Sequence, residues 1–229
     1  MTEESKQEKS GGKNKFSLSS LETVAILIVA LLLVFVILNS VRISKLNGSG
    51  DEGTGVLSAV SASEIIPKGI PAVYGKELKI SYDDISASNS QSTESTIGIL
   101  TNIDNSVTLT GDDLDRYVKI GSMIACEYCC GAQTLVFKDG QAACGCAHSY
   151  AMRGLEKYLI KNHGTEYTDD EILEELGKWK VLFFPGVHET KAAVLKSKGI
   201  ELNFINLASN KYRGIEKGQE SSGDMVGGC

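Results

Sequence analysis

Five of the chain's six cysteines and one of its three histidines fall within one stretch, CEYCCGAQTLVFKDGQAACGCAH, residues 126 to 148. Thiolates and imidazole are the donors that soft and borderline metal ions prefer, and Cys126, Cys129, Cys130, Cys144, Cys146 and His148 offer six of them. A tetrahedral site takes four. The spacing is C-x2-C on one side of a segment able to turn back on itself and C-x-C on the other. It selects Cys126, Cys129, Cys144 and Cys146, with Cys130 and His148 as substitutes. Zinc, Cu(I) and an iron-sulfur centre all suit such a set. Met123, three residues before Cys126, and Met152, four after His148, would add thioethers that select Cu(I), although a methionine at either position reads first as core packing.

Two other chemistries use the same residues. In an oxidising compartment an even number of cysteines points to disulfides, and bridges from Cys126 or Cys129 to Cys144 or Cys146 are feasible across the turn. Adjacent Cys129 and Cys130, and closely set Cys144 and Cys146, make poor partners within each pair, because a relaxed bridge needs Cα atoms about 5.5–6 Å apart. The CEYC pair, Cys126 and Cys129, could instead serve a thiol-disulfide oxidoreductase, but no Pro-flanked thioredoxin pattern or βαβ scaffold accompanies it. The sequence leaves open whether the chain is an enzyme, a metal-handling protein or a disulfide-stapled surface scaffold. Cys229, on a GGC tail, could return as a ligand, bridge a cluster cysteine or cross-link two chains. His163 reads as a partner of a helix C-terminus, and His188 has no stated role.

The elements around the cluster must bring its two ends together. Leu135, Val136 and Phe137 are strand formers and Lys138-Asp-Gly-Gln141 is a turn signal, which predicts a β-hairpin in the manner of a zinc ribbon. Before it, Thr110 can cap a helix that carries Asp112 and Asp113 in its first turn and Leu114, Tyr117, Val118 and Ile124 at helical spacing. After it, HSYAMRGLEKYLIKNHG predicts a helix closed by Gly164, and Thr168 with Glu171 forms a capping box for another that Pro185 stops. Its acids Asp169, Asp170, Glu171, Glu174 and Glu175 read as a solvated face. HETKAAVLKSKG predicts a short helix, and LNFINL at 202 to 207 a strand. Residues 65 to 85 read as extended chain or a short strand, and the Ser-rich stretch 86 to 95 as a loop. The fold class expected is therefore α+β, mostly α.

Toward the N-terminus, Val24 to Leu38 run without a polar side chain, and with their flanks they approach the twenty or so residues that match a hydrocarbon core of roughly 30 Å. The expected organisation is a disordered cytoplasmic tail at 1–20, a transmembrane helix at 21–43 in the lipid bilayer and a flexible linker at 44–63. An extracytoplasmic cysteine-cluster domain at 64–210 and a flexible tail at 211–229 follow. Four lysines before the run, against Arg42 and Lys45 after it, place the N-terminus inside and make this a single-pass protein of the cell membrane. A cleaved signal peptide competes, but no A-x-A-like site follows promptly. Net charge −6 and a pI near 5.2, with lysines interleaved among acids, argue against nucleic acid as a partner.

The segment ACGCAHS, residues 143 to 149, with EYCCG before it, resembles the PCYCGC-motif proteins and related membrane-anchored proteins of archaea. The likeness covers little more than the cluster; there is no Pro-Cys-Tyr-Cys run, and a helix stands where a lipobox cysteine would be. The resemblance implies a surface-exposed cysteine-histidine centre at Cys144, Cys146 and His148, and no particular reaction.

Overall fold

The structure, a computed structural model, describes Val29, Leu31, Leu32 and residues 60–218 and 225–227. The chain divides into two compact units, Met1–Thr54 and Gly55–Cys229. In the first, Val29, Leu31 and Leu32 are helical and exposed.

The second unit is built from helices. Two single turns, α1 (Ala62–Ile65) and α2 (Gly75–Leu78), precede a 3-10 turn at Tyr82–Asp84. Then come α3 (Ser90–Ser106), α4 (Asp112–Gly121), α5 (Ala147–His163), α6 (Asp169–Phe183), α7 (Pro185–Ser197) and the short α8 (Phe204–Ala208). Local chemistry sets several of their ends. The Thr168 hydroxyl accepts from the Glu171 amide while Glu171 reaches back to the Thr168 amide, so two orphan donors of α6 are satisfied reciprocally. Asn89 caps α3 and Asn203 caps α8 in the same way, each accepting an amide hydrogen bond with its side chain. Pro185 opens α7, where the missing N–H costs nothing.

The core is held between α3, α5 and α6. Gly154 of α5 faces the Leu100 carbonyl of α3 so closely that a Cβ there would collide with backbone; only glycine lets the two helices pack at this distance. The buried contact is flanked by charge: Arg153 and Lys157 of α5 both reach Asp104 of α3, at 2.8 and 2.7 Å. Trp179 of α6 is fully buried, and its indole N–H donates to the Tyr74 hydroxyl at 2.7 Å. Tyr74 and Tyr82 in turn donate to Glu175 at 2.7 and 2.6 Å. Burial first, and the Glu175 charge second, push both phenols upward, which keeps them donors.

Several expectations are corrected. Among the described residues there is no strand and no sheet, so the fold is helical and not α+β. The hairpin exists only as a chain reversal: Phe137 donates to the Gln141 carbonyl at 2.8 Å and Ala143 to that of Leu135 at 3.0 Å, with one isolated bridge, Val136 to Ala142. The return arm, Ala142-Ala143-Cys144-Gly145, carries no strand former, and Leu135 spends its amide on the Gly121 and Ile124 carbonyls. LNFINL is not a strand, because Asn203 caps a helix through it. The Ser-rich loop ends at Asn89, where α3 begins, and the extended region at 65–85 holds α2 and a 3-10 turn. Helix α4 is preceded by Gly111 and takes no side-chain cap from Thr110. Glu175 is buried beneath two tyrosines, outside any solvated face.

The membrane placement is also corrected. Among the described residues no helix is long and apolar enough to cross a membrane, so a single-pass anchor in the bilayer, and the cell-membrane location built on it, have no support. Apart from Val29, Leu31 and Leu32, the span expected at 21–43 lies outside the described residues, as do the tail at 1–20, most of the linker and Cys229.

Candidate functional site

Three pieces of chain meet at the cysteines. Helix α4 ends at Gly121, and the following residues are fixed by Asn210, whose amide donates to the Met123 carbonyl at 2.8 Å and whose side chain donates to those of Ser122 and Gln133 at 3.1 and 2.9 Å. This delivers Cys126 into the core, fully buried. The chain reverses at 138–140 and returns to Cys146, which stands at the N-cap of α5; its sulfur accepts the Ser149 amide at 3.4 Å. His148 follows in the first turn of that helix, its ring buried against Phe183 and Phe184 with centroids 4.7 and 4.9 Å away. The third piece is the segment 225–227. Val226 donates to the Phe183 carbonyl, and its own carbonyl lies 2.8 Å from Nε2 of His148.

The sulfurs fall into two overlapping groups. Donor atoms of Cys126, Cys146 and His148 all lie within 4.8 Å of one another, as do the sulfurs of Cys130, Cys144 and Cys146. By distance both are groups that could hold a metal ion, the second only with its cysteines reduced, and Cys146 belongs to each. Cys130 and Cys144 are joined as a disulfide, with Cα atoms 6.7 Å apart, and Cys129 is disulfide-bonded as well. Cys126 and Cys146 are free thiols whose sulfurs are 3.3 Å apart. Exposure falls along the cluster: Cys130 is exposed, Cys146 half-buried and Cys126 buried.

The two free thiols do not ionise alike. The hydrogen bond to Cys126 pulls the Cys146 thiol strongly down; burial opposes this, and His148 and the Ser149 amide reinforce it. The same bond, then burial, pushes Cys126 up. Of the two thiols, Cys146, at the positive end of α5, is therefore the one that ionises more readily.

The loop carrying Cys126 to Gln133 is braced by charges. Lys180 of α6, fully buried, pairs with Glu127 at 2.8 Å and donates to the Ala208 carbonyl at 2.8 Å. Burial lowers its pKa. Arg213 donates to the Ala132 and Gln133 carbonyls at 2.8 and 3.2 Å, and Arg153 ties the Cys144 carbonyl to α5 at 2.8 Å. None of these three is marked by spacing near the cysteines; the only sign is a basic residue within an otherwise apolar helical stripe, as at Lys180 in KWKVLFF.

Of the six ligands expected from sequence, the structure leaves Cys126, Cys146 and His148 as thiol or imidazole donors and places Cys129, Cys130 and Cys144 in disulfides. Met152 is fully buried in the core and Met123 packs against it. His163 sits apart at the end of α5, between Glu166 at 2.8 Å and Glu77 at 3.0 Å. His188 is buried, its Nδ1 donating to the Phe184 carbonyl at 2.7 Å, and burial lowers its pKa well below the usual value.

Fold and site together define a helical protein with a half-buried cysteine-histidine cluster at the start of one central helix. No family model matches the chain, and no curated protein or solved structure matches it either.

Proposed function

We propose that the chain binds a single soft or borderline metal ion, Zn2+ or Cu(I), through Cys126, Cys146 and His148. The observation that carries this is the approach of three donors, from two separate segments, to within 4.8 Å of one another. The imidazole adds support. A carbonyl only accepts, so Nε2 of His148 donates to the Val226 carbonyl, and that bond fixes the orientation of the ring. Metal-ligating histidines are oriented by a backbone carbonyl or carboxylate in this way. Three protein donors make a trigonal site for Cu(I), or a zinc site whose fourth position takes an outside ligand. With Cys129, Cys130 and Cys144 in disulfides, too few thiolates remain for a four-cysteine iron-sulfur cluster, which favours a single ion.

The test is metal content and affinity of the full chain purified without reductant, by elemental mass spectrometry and competition against a chromophoric chelator. Roughly one ion per chain is expected, lost in Cys126→Ser and in His148→Ala. A folded chain that stays metal-free after incubation with equimolar Zn2+ and, separately, Cu(I) sinks the reading.

A further inference from the structure

We propose that the cluster also carries out thiol-disulfide exchange, moving a disulfide inward from Cys130–Cys144 to Cys126–Cys146 with Cys146 as the shared sulfur. The argument is geometric. Exchange requires a free sulfur beside a disulfide, and Cys146 lies within 4.8 Å of both sulfurs of the Cys130–Cys144 bridge. A second free sulfur must then resolve the intermediate, and Cys126 is 3.3 Å from Cys146. Position in the fold suits the role: Cys146 stands at the N-cap of α5, between the bridge and the second free sulfur.

The steps balance without an outside oxidant. The Cys146 sulfur attacks Cys144, forming Cys144–Cys146 and releasing Cys130 as a thiol. Cys126 then attacks Cys146, forming Cys126–Cys146 and releasing Cys144. One disulfide is consumed and one formed, and the two protons of Cys126 and Cys146 end on Cys130 and Cys144. The direction follows exposure, since Cys130 faces solvent and Cys126 is buried. An external thiol compound therefore meets the cluster at Cys130: its sulfur attacks Cys130, forms a mixed disulfide and releases Cys144. The buried Cys126–Cys146 bridge is the form shielded from such attack. This activity belongs to the metal-free chain and goes beyond metal binding; an ion on Cys126 and Cys146 would block it.

The experiment maps disulfides by mass spectrometry in the full chain, kept metal-free with a chelator, quenched in acid and alkylated. Wild type should yield Cys126–Cys146 peptides beside Cys130–Cys144. Cys126→Ser should stop at the intermediate and accumulate Cys144–Cys146 with an alkylated Cys130. Cys146→Ser retains a good N-cap and should leave Cys126 fully alkylatable and Cys130–Cys144 intact. Reduced glutathione should form its adduct on Cys130 before any other cysteine. Three outcomes overturn the proposal: only Cys130–Cys144 in wild type, no Cys144–Cys146 in Cys126→Ser, or Cys126 drawn into a disulfide in Cys146→Ser. Adding Zn2+ separates this from the metal reading. Exchange that ignores Zn2+ in a chain that binds none sinks metal binding alone, and metal binding without exchange in the chelated chain sinks exchange alone.

Discussion

Replacing Lys180 by Met tests whether the charges beneath the cysteine loop hold it in place. The Lys180 side chain is 0% exposed and that of Glu127 5%, so the pair at 2.8 Å has almost no water to fall back on. Breaking such a pair from one side leaves the other charge buried, and costs about 3–5 kcal/mol. Lys180→Met belongs at the upper end, because Glu127 is left with Arg213, 3.9 Å away, as its salt-bridge partner among the described residues, and the Ala208 carbonyl loses its donor. Glu127→Gln belongs near the lower end, about 3 kcal/mol, because Lys180 retains that carbonyl and its burial already favours the neutral amine. The double variant removes both charges and should recover roughly 2 kcal/mol relative to the sum of the singles. Urea unfolding monitored by Trp179 fluorescence measures all three. Since Glu127 adjoins Cys126, metal affinity should fall about tenfold in Lys180→Met where the protein is still folded. A Lys180→Met cost below about 1 kcal/mol, the range of an exposed pair, or an additive double variant, would refute the reasoning.

Glu156 is fully buried, and burial holds its carboxyl protonated far above the usual range. A raised acid binds its proton more tightly when folded, so wild-type stability should decline as pH rises from about 4.3, the unfolded value, through the folded pKa; Glu156→Gln should flatten that decline in urea midpoints at pH 5 and pH 8, and an unchanged slope counts against it. Gly154→Ala places a methyl group against the Leu100 backbone and should cost about 3 kcal/mol or more, measured by thermal melting. Replacing Cys130 and Cys144 together by Ser releases a bridge across a sequence separation of 14, worth roughly 3 kcal/mol on loop-entropy grounds and read from denaturant midpoints. Cys146→Ala should be about 1 kcal/mol less stable than Cys146→Ser, since only Ser can still accept the Ser149 amide.

Where a local signal was complete, the fold was legible in the chain. Thr168 and Glu171 lie within hydrogen-bond reach of each other's backbone, so the capping box of α6 could be read and is present. Helix α3 was lost because its first turns, Ser90 to Thr96, are polar, and its buried face mixes Thr93, Thr96 and Asp104 with Ile97 and Leu100. That face is completed by α5, some fifty residues on, where Gly154 packs on the Leu100 backbone and Arg153 pairs with Asp104. Glu175 misled for the same reason, since the tyrosines that bury it are 101 and 93 residues away in sequence. At the cluster, the turn at Lys138-Asp-Gly and the cysteine spacing foretold convergence. They did not foretell pairing, because the arms form a reversal and no ladder; without a ladder to fix register, which sulfur faces which is set by α5 and the 122–126 segment.

The bond from His148 to the Val226 carbonyl spans 78 residues of sequence. During synthesis the imidazole leaves the ribosome first, and at about 5–20 residues per second the carbonyl that its Nε2 meets is added roughly 4–16 s later. Throughout that interval the ring lacks that partner. The hydrogen-bonded surround of the cluster is thus completed only after 78 further residues have been added.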